Sequence, residues 1–160
     1  MRRISVMVAA ALTLALIVCG AALAAEVSRD EYKASVEPIC KKNTQANERI
    51  LSGVKKEVQQ GKLKTAAAKF TKASTELTKT VRELKKVPQP VADKSRLSSW
   101  FGLIEVEAEL FAMAGKKLKA GDKAGAEHIV TKLTQNANKA NLQVLPFGFT
   151  YCRLEPAKFT

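Results

Sequence analysis

The stretch from residue 97 to residue 118, LSSWFGLIEVEAELFAMAGKKL, decides the fold. Apolar or small residues recur in it at alternating spacings of four and three, which places them on one face of an α-helix. These residues are Leu97, Phe101, Ile104, Ala108, Phe111, Gly115 and Leu118. A second apolar row runs beside them and consists of Trp100, Leu103, Leu110, Met113 and Ala114. The two rows form a stripe wide enough to contact several neighbours, which predicts the central helix of a bundle.

Helical patterns on both sides of this stretch complete the predicted fold. Ser28-Arg29-Asp30-Glu31 matches a capping box and opens the first helix, and Pro38 should kink that helix or separate a short N-terminal piece. Gly61 and Gly121 end helices, while prolines mark residues 87–91 as a linker. The predicted helices span residues 28–60, 62–86, 94–120 and 122–144, followed by a tail at 145–160. We therefore expect an all-α, up-down-up-down four-helix bundle, with Asp93 and Asp122 as N-caps of its third and fourth helices.

The first 24 residues have the pattern of a secretory signal peptide. Arg2 and Arg3 precede an apolar run at 6–18, and Ala22-Leu23-Ala24 is a small-x-small cleavage site. Residues 25–160 would then form a single exported helical domain, secreted or in the periplasm or cell envelope. In the alternative reading, residues 16–19 are a bacterial lipobox and Cys19 becomes a lipidated N-terminus.

Two cysteines remain after the leader, Cys40 and Cys152. An even number of cysteines in an exported chain predicts a disulfide, which here would tether the C-terminal tail to the first helix. The tail is also rich in aromatic residues: Phe147, Phe149, Tyr151 and Phe159. It is expected either to fold back as a lid over the core or to expose an aromatic lip for a ligand.

The chain is strongly basic, with a formal net charge of +12. Without the two leader arginines, 25 basic residues face 15 acidic ones, so the exported part would carry +10. Such a charge favours anionic partners such as an envelope polymer or anionic lipid, although it also fits a solvated lysine surface. Basic residues are spread over all helices without a recognition motif, so no nucleic acid is expected as a partner.

Catalytic and metal-binding patterns are missing from the sequence. The single histidine, His128, lies off the apolar row of its helix, and no haem-attachment motif or zinc-ligand set is present. Glu105 and Glu109 share a helix face, but nothing pairs them or Glu107 with a nucleophile. Met113 is expected in the core and not as a haem ligand. We therefore predict no catalytic, cofactor-binding or metal-binding residues and a protein that is not an enzyme.

Three short segments resemble small exported helical-bundle proteins of uncharacterised function from actinobacteria. They are Ser28-Arg29-Asp30-Glu31-Tyr32, Glu37-Pro38-Ile39-Cys40 and Gly148-Phe149-Thr150-Tyr151-Cys152. The resemblance implies a helical bundle with one disulfide, and it implies no activity or site residues.

Two functions are consistent with these observations. The leading hypothesis is an exported, non-enzymatic binding or structural protein whose basic surface meets an anionic envelope polymer, anionic lipid or another protein. The alternative is a carrier that holds a small ligand or cofactor inside the bundle, near Trp100, Phe101 and Met113.

Overall fold

The computed structural model describes residues 26–156, and this part of the chain is helical without any strand. The predicted leader, Cys19 and Phe159 lie outside the described residues. The helices are α1 (Arg29–Leu51), α2 (Val54–Gln59), α3 (Leu63–Leu84), α4 (Lys94–Lys119) and α5 (Lys123–Gln143). Short 3-10 turns follow at Val91–Asp93, before α4, and at Leu145–Phe147, after α5.

The predicted four-helix bundle is confirmed, and α4 lies at its centre. α4 packs along both α3 and α5, while α1 packs mainly along α3. All seven residues of the first apolar row of α4 are buried, and the neighbouring Trp100 is fully buried. The second row is less regular, because Met113 is 43% exposed. The expectation that Met113 is a core residue is therefore wrong.

The first predicted helix is two helices. α1 continues through Pro38, so this proline does not separate an N-terminal piece; buried Val36 and Cys40 on either side offset the missing backbone hydrogen bond. The break lies at Gly53, whose φ of 73° is a left-handed conformation that glycine adopts easily. Lys69 of α3 holds this corner by donating to the Ser52 carbonyl at 2.7 Å.

The caps agree with the sequence at two of three helices. Ser28 and Glu31 form the predicted capping box, and Asp122 accepts a hydrogen bond from the Gly125 amide at 2.8 Å. Asp93 precedes α4, but its carboxylate does not cap the helix. It binds the Arg29 guanidinium at 2.7 and 2.9 Å instead, because a bidentate ion pair is stronger than a hydrogen bond to one backbone amide.

The tail folds back over the bundle, as one of the two predictions stated. Phe147 and Phe149 are buried, and the Phe149 ring lies 5.7 Å from the Trp100 ring between centroids. Cys40 and Cys152 form the predicted disulfide across 112 residues. The tail also binds α5, because Leu154 and Asn141 exchange hydrogen bonds at 2.8 and 2.9 Å. The tail therefore bridges α1 and α5, which pack little against each other.

Candidate functional site

A cavity of about 390 Å³ lies between α1, α3, α4 and the tail. Its size falls in the range of small-molecule sites, roughly 300–1,000 Å³. One part of its wall is apolar and consists of Leu77, Leu84, Ile104, Phe111 and the Cys40–Cys152 disulfide. Residues 150–156 of the tail form the roof. The cavity exists because the tail, and not another helix, covers the space between α1, α3 and α4.

Polar side chains occupy core positions on the α1 side of this cavity. Asn47 is 7% exposed and follows Asn43 by one helical turn. The Asn43 side-chain oxygen accepts hydrogen bonds from Asn47 Nδ2 at 3.3 Å and from Thr80 Oγ1 of α3 at 3.2 Å. This small network leaves Asn47 Oδ1 without a partner among residues 26–156.

The indole of Trp100 presents a second unpaired polar atom. Trp100 lines the cavity and is 0% exposed, yet its Nε1–H has no acceptor within the described residues. An unsatisfied buried donor or acceptor costs about 1–3 kcal/mol, so such atoms are rare in a core. Both atoms are fully buried beside the cavity, so a bound molecule satisfies them only if the neighbouring side chains move.

Glu107 is the buried carboxyl group of the site. It projects from the core face of α4, is 1% exposed and lines the same cavity. Its Oε2 accepts a hydrogen bond from Asn136 Nδ2 of α5 at 2.7 Å, and Asn136 also donates to the Leu103 carbonyl. Burial raises the pKa of Glu107 to about 7, against the opposing effect of the Asn136 hydrogen bond. In residues 26–156 no lysine or arginine forms an ion pair with it.

The sequence-predicted ligand region is only partly assembled. Of its three residues, only Trp100 lines the cavity. Phe101 lines a separate surface opening beside the proline linker, and Met113 is 43% exposed. His128 is on the surface, as expected. Glu105 forms a surface ion pair with Lys85 at 2.6 Å.

Apolar periodicity did not identify the polar residues of the cavity, Asn43, Asn47, Thr80 and Glu107, or the α5 residue Asn136 that binds Glu107. Asn43 lies on the apolar row of the first predicted helix, and Asn47 is one turn further on. Glu107 lies one turn from Leu103 and two turns from Trp100 on α4. Two asparagines and a glutamate on apolar faces were the available signal. Whether such polar residues form a site depends on which helices pack together, and apolar periodicity does not show that.

A basic surface lies elsewhere on the bundle, in an open groove between α3 and α4. Its rim carries four lysines: Lys64, Lys72, Lys116 and Lys119. We refer to these residues and the groove between them as the lysine groove. Its floor contains Gly115, where an added Cβ would lie 3.0 Å from the Ala67 carbonyl oxygen. A residue without a side chain therefore allows the two helices to approach closely.

Comparisons with protein-family models, with curated proteins and with solved structures find no match to this chain. Within residues 26–156, no three side chains of histidine, cysteine, aspartate or glutamate lie together in a way that would hold a metal ion. None of the described helices combines the length and the apolar character needed to cross a membrane.

Proposed function

We propose that this protein is an exported, non-enzymatic helical bundle that binds a small ligand in the cavity beneath its tail. The observation that carries the proposal is the pair of unpaired buried atoms in the wall, Trp100 Nε1 and Asn47 Oδ1. A ligand that hydrogen-bonds to both removes a destabilising feature of the fold. Its binding energy then includes the relief of that penalty.

Export is supported by the leader pattern at 1–24 and by the disulfide, because disulfides persist mainly in oxidising compartments. Intact mass spectrometry of the protein from its exporting host tests this part. A chain that begins at Ala25 and lacks the two thiol hydrogens supports a secreted or periplasmic domain. A chain that begins at a lipidated Cys19 would instead support a protein anchored to the membrane.

Native mass spectrometry of the same preparation tests ligand binding. We expect a bound small molecule on the native protein that is lost on denaturation. Asn47→Leu removes the unpaired acceptor and places apolar volume in the cavity, so the adduct should disappear. Asn138→Leu, on the solvent face of α5, is the matched control and should keep it.

If the native mass shows no bound molecule, a small-molecule extract of the host is added to the purified protein. The indole resonance of Trp100, the only tryptophan, reports occupancy of the cavity directly. No adduct and no change in this resonance would contradict the proposal.

A second candidate function is the binding of an anionic envelope polymer or anionic lipid at the lysine groove. It is supported by the four rim lysines and by the net charge of the chain. Replacing Lys64, Lys72, Lys116 and Lys119 by glutamine should abolish salt-sensitive retention on anionic vesicles. The matched control replaces Lys42, Lys79, Lys132 and Lys139, which are exposed elsewhere. Equal retention of both variants would show that the groove is not a docking surface.

A further inference from the structure

The cavity is acidic within a basic protein. Its lining includes three carboxyl groups and one guanidinium: Glu48 of α1, Glu107 of α4, Glu155 of the tail and Arg153 of the tail. The chain as a whole carries a formal net charge of +12. The sign of the charge in this site is therefore opposite to that of the molecule, which indicates a positively charged ligand.

Glu107 makes this preference specific. Glu48 and Glu155 are exposed residues, whereas Glu107 is 1% exposed. A buried carboxylate is costly unless a cation and hydrogen bonds compensate it, and Asn136 supplies only a hydrogen bond. The compensating charge is missing from the ion pairs of residues 26–156.

On the basis of the function proposed above, we propose that the ligand is a small organic cation, an amine or amidine, whose protonated nitrogen pairs with Glu107. The nitrogen carries several N–H groups, so it can also donate to Asn47 Oδ1. The Trp100 indole needs an acceptor, which a hydroxyl or carbonyl oxygen elsewhere on the ligand provides.

The remaining wall defines the body of the ligand. Leu77, Leu84, Ile104 and Phe111 present apolar surface, which suits an aromatic ring or a short hydrocarbon. A hydrated metal ion would leave this surface unused, and an anion would meet an excess of carboxylates. An apolar amine with one oxygen therefore suits the combination of Glu107 with this apolar surface.

Cation binding should depend on pH through Glu107. α3 contributes only uncharged residues to the lining: Leu77, Thr80 and Leu84. α5 contacts Glu107 through the uncharged Asn136. The other charged groups of the lining are Glu48, Arg153 and Glu155. Burial raises the pKa of Glu107 to about 7, so the carboxyl is largely protonated below that pH and must lose its proton to pair with a cation. Affinity for the cation should therefore rise with pH, by up to about tenfold per unit below pH 7.

The test uses three probes with one apolar body: tyramine, the neutral 4-ethylphenol and the anionic 4-hydroxyphenylacetate. Each is titrated into the full mature protein with its disulfide intact, and the Trp100 indole resonance is followed by NMR. We expect tyramine to bind most tightly. In Glu107→Gln, its affinity should fall by about 10- to 100-fold and lose its pH dependence. Glu109→Gln makes the same charge change on the exposed side of α4 and should leave binding unchanged.

Different failures have different meanings. If 4-ethylphenol or 4-hydroxyphenylacetate binds as tightly as tyramine, or if Glu107→Gln leaves tyramine binding unchanged, the cation proposal is overturned while the cavity remains a ligand site. If no probe shifts the Trp100 resonance, although the host extract does, the ligand class is likewise wrong. If neither the probes nor the extract shifts it, the proposed function fails as well.

Discussion

The stability of the ligand-free protein should decrease as pH rises, and Glu107→Gln should remove this effect. In the folded chain burial raises the pKa of Glu107 from 4.5 to about 7. Between these values the folded state holds a proton that the unfolded state has lost. The free energy of unfolding therefore falls as pH rises through this interval.

The size of the effect follows from the shift. One pKa unit corresponds to about 1.4 kcal/mol, so the change from 4.5 to about 7 gives about 3 kcal/mol in total. Most of this loss should occur between about pH 5 and about pH 8. The glutamine variant keeps the shape of the side chain and an oxygen that can accept from Asn136, but it does not ionise. It should therefore be similar to wild type near pH 5 and more stable by about 2–3 kcal/mol near pH 8.

Urea unfolding, monitored by far-UV circular dichroism at several pH values, measures the difference directly. Other carboxyl groups also titrate, but they do so in both proteins and cancel in the comparison. Glu109→Gln, which changes an exposed carboxyl of the same helix, should show no such divergence. A stability difference between wild type and Glu107→Gln that stays constant from pH 5 to pH 8 would refute the reasoning.

Three further changes test the packing of the bundle. Phe111→Ala should lower the free energy of unfolding by about 3–5 kcal/mol, because it leaves a hole in the core face of α4; a loss below about 1 kcal/mol in urea unfolding would mean that α4 is not central. Cys152→Ser opens a loop of 112 residues, worth up to about 4–5 kcal/mol in the chain-entropy treatment. Its circular dichroism should stay helical while the tail loosens, and loss of the helical signal would show that the bundle needs the disulfide. Arg29→Met leaves the Asp93 carboxylate, 4% exposed, with only the Arg96 guanidinium at 4.0 Å, and should lower the free energy of unfolding near pH 7. Since the Arg29 guanidinium holds the pKa of Asp93 below its usual range, this loss should shrink as pH falls through the carboxyl range, and a pH-independent loss would argue against the pair.

The positions of the long helices could be predicted because burial of an apolar face dominates helix packing. The spacing of Phe101, Ile104 and Phe111 places them on one side of a helix whatever the neighbours are, and all three are buried. The disulfide could be predicted because only Cys40 and Cys152 remain after the expected leader.

Local backbone breaks were harder to predict than helix faces. Pro38 is a strong breaker in isolation, yet packing on both sides keeps α1 continuous. Glycine is tolerated inside helices in many proteins, so the presence of Gly53 did not by itself predict a corner between α1 and α2. Tertiary contacts decide such cases, and they are not visible in a local pattern.

The cavity could not be predicted from apolar periodicity, because its informative residues are polar. Trp100 was correctly placed in the bundle interior, but Asn47 and Glu107 acquire their meaning from surroundings built by other helices and the tail. Met113 shows the reverse error, since an apolar residue at the edge of a wide stripe can face solvent.

The position of the roof in the chain restricts when the cavity can form. One wall belongs to α1, near the beginning of the residues that the structure describes, whereas the roof comes from residues 150–156. In a polypeptide translocated from its N-terminus, Cys40 crosses the membrane long before Cys152, so the pocket closes only after nearly the whole chain has emerged and the thiols have been oxidised. If the chain is exported and binds a ligand as proposed, it would therefore acquire this ligand from the outer compartment and could not carry one out of the cytoplasm.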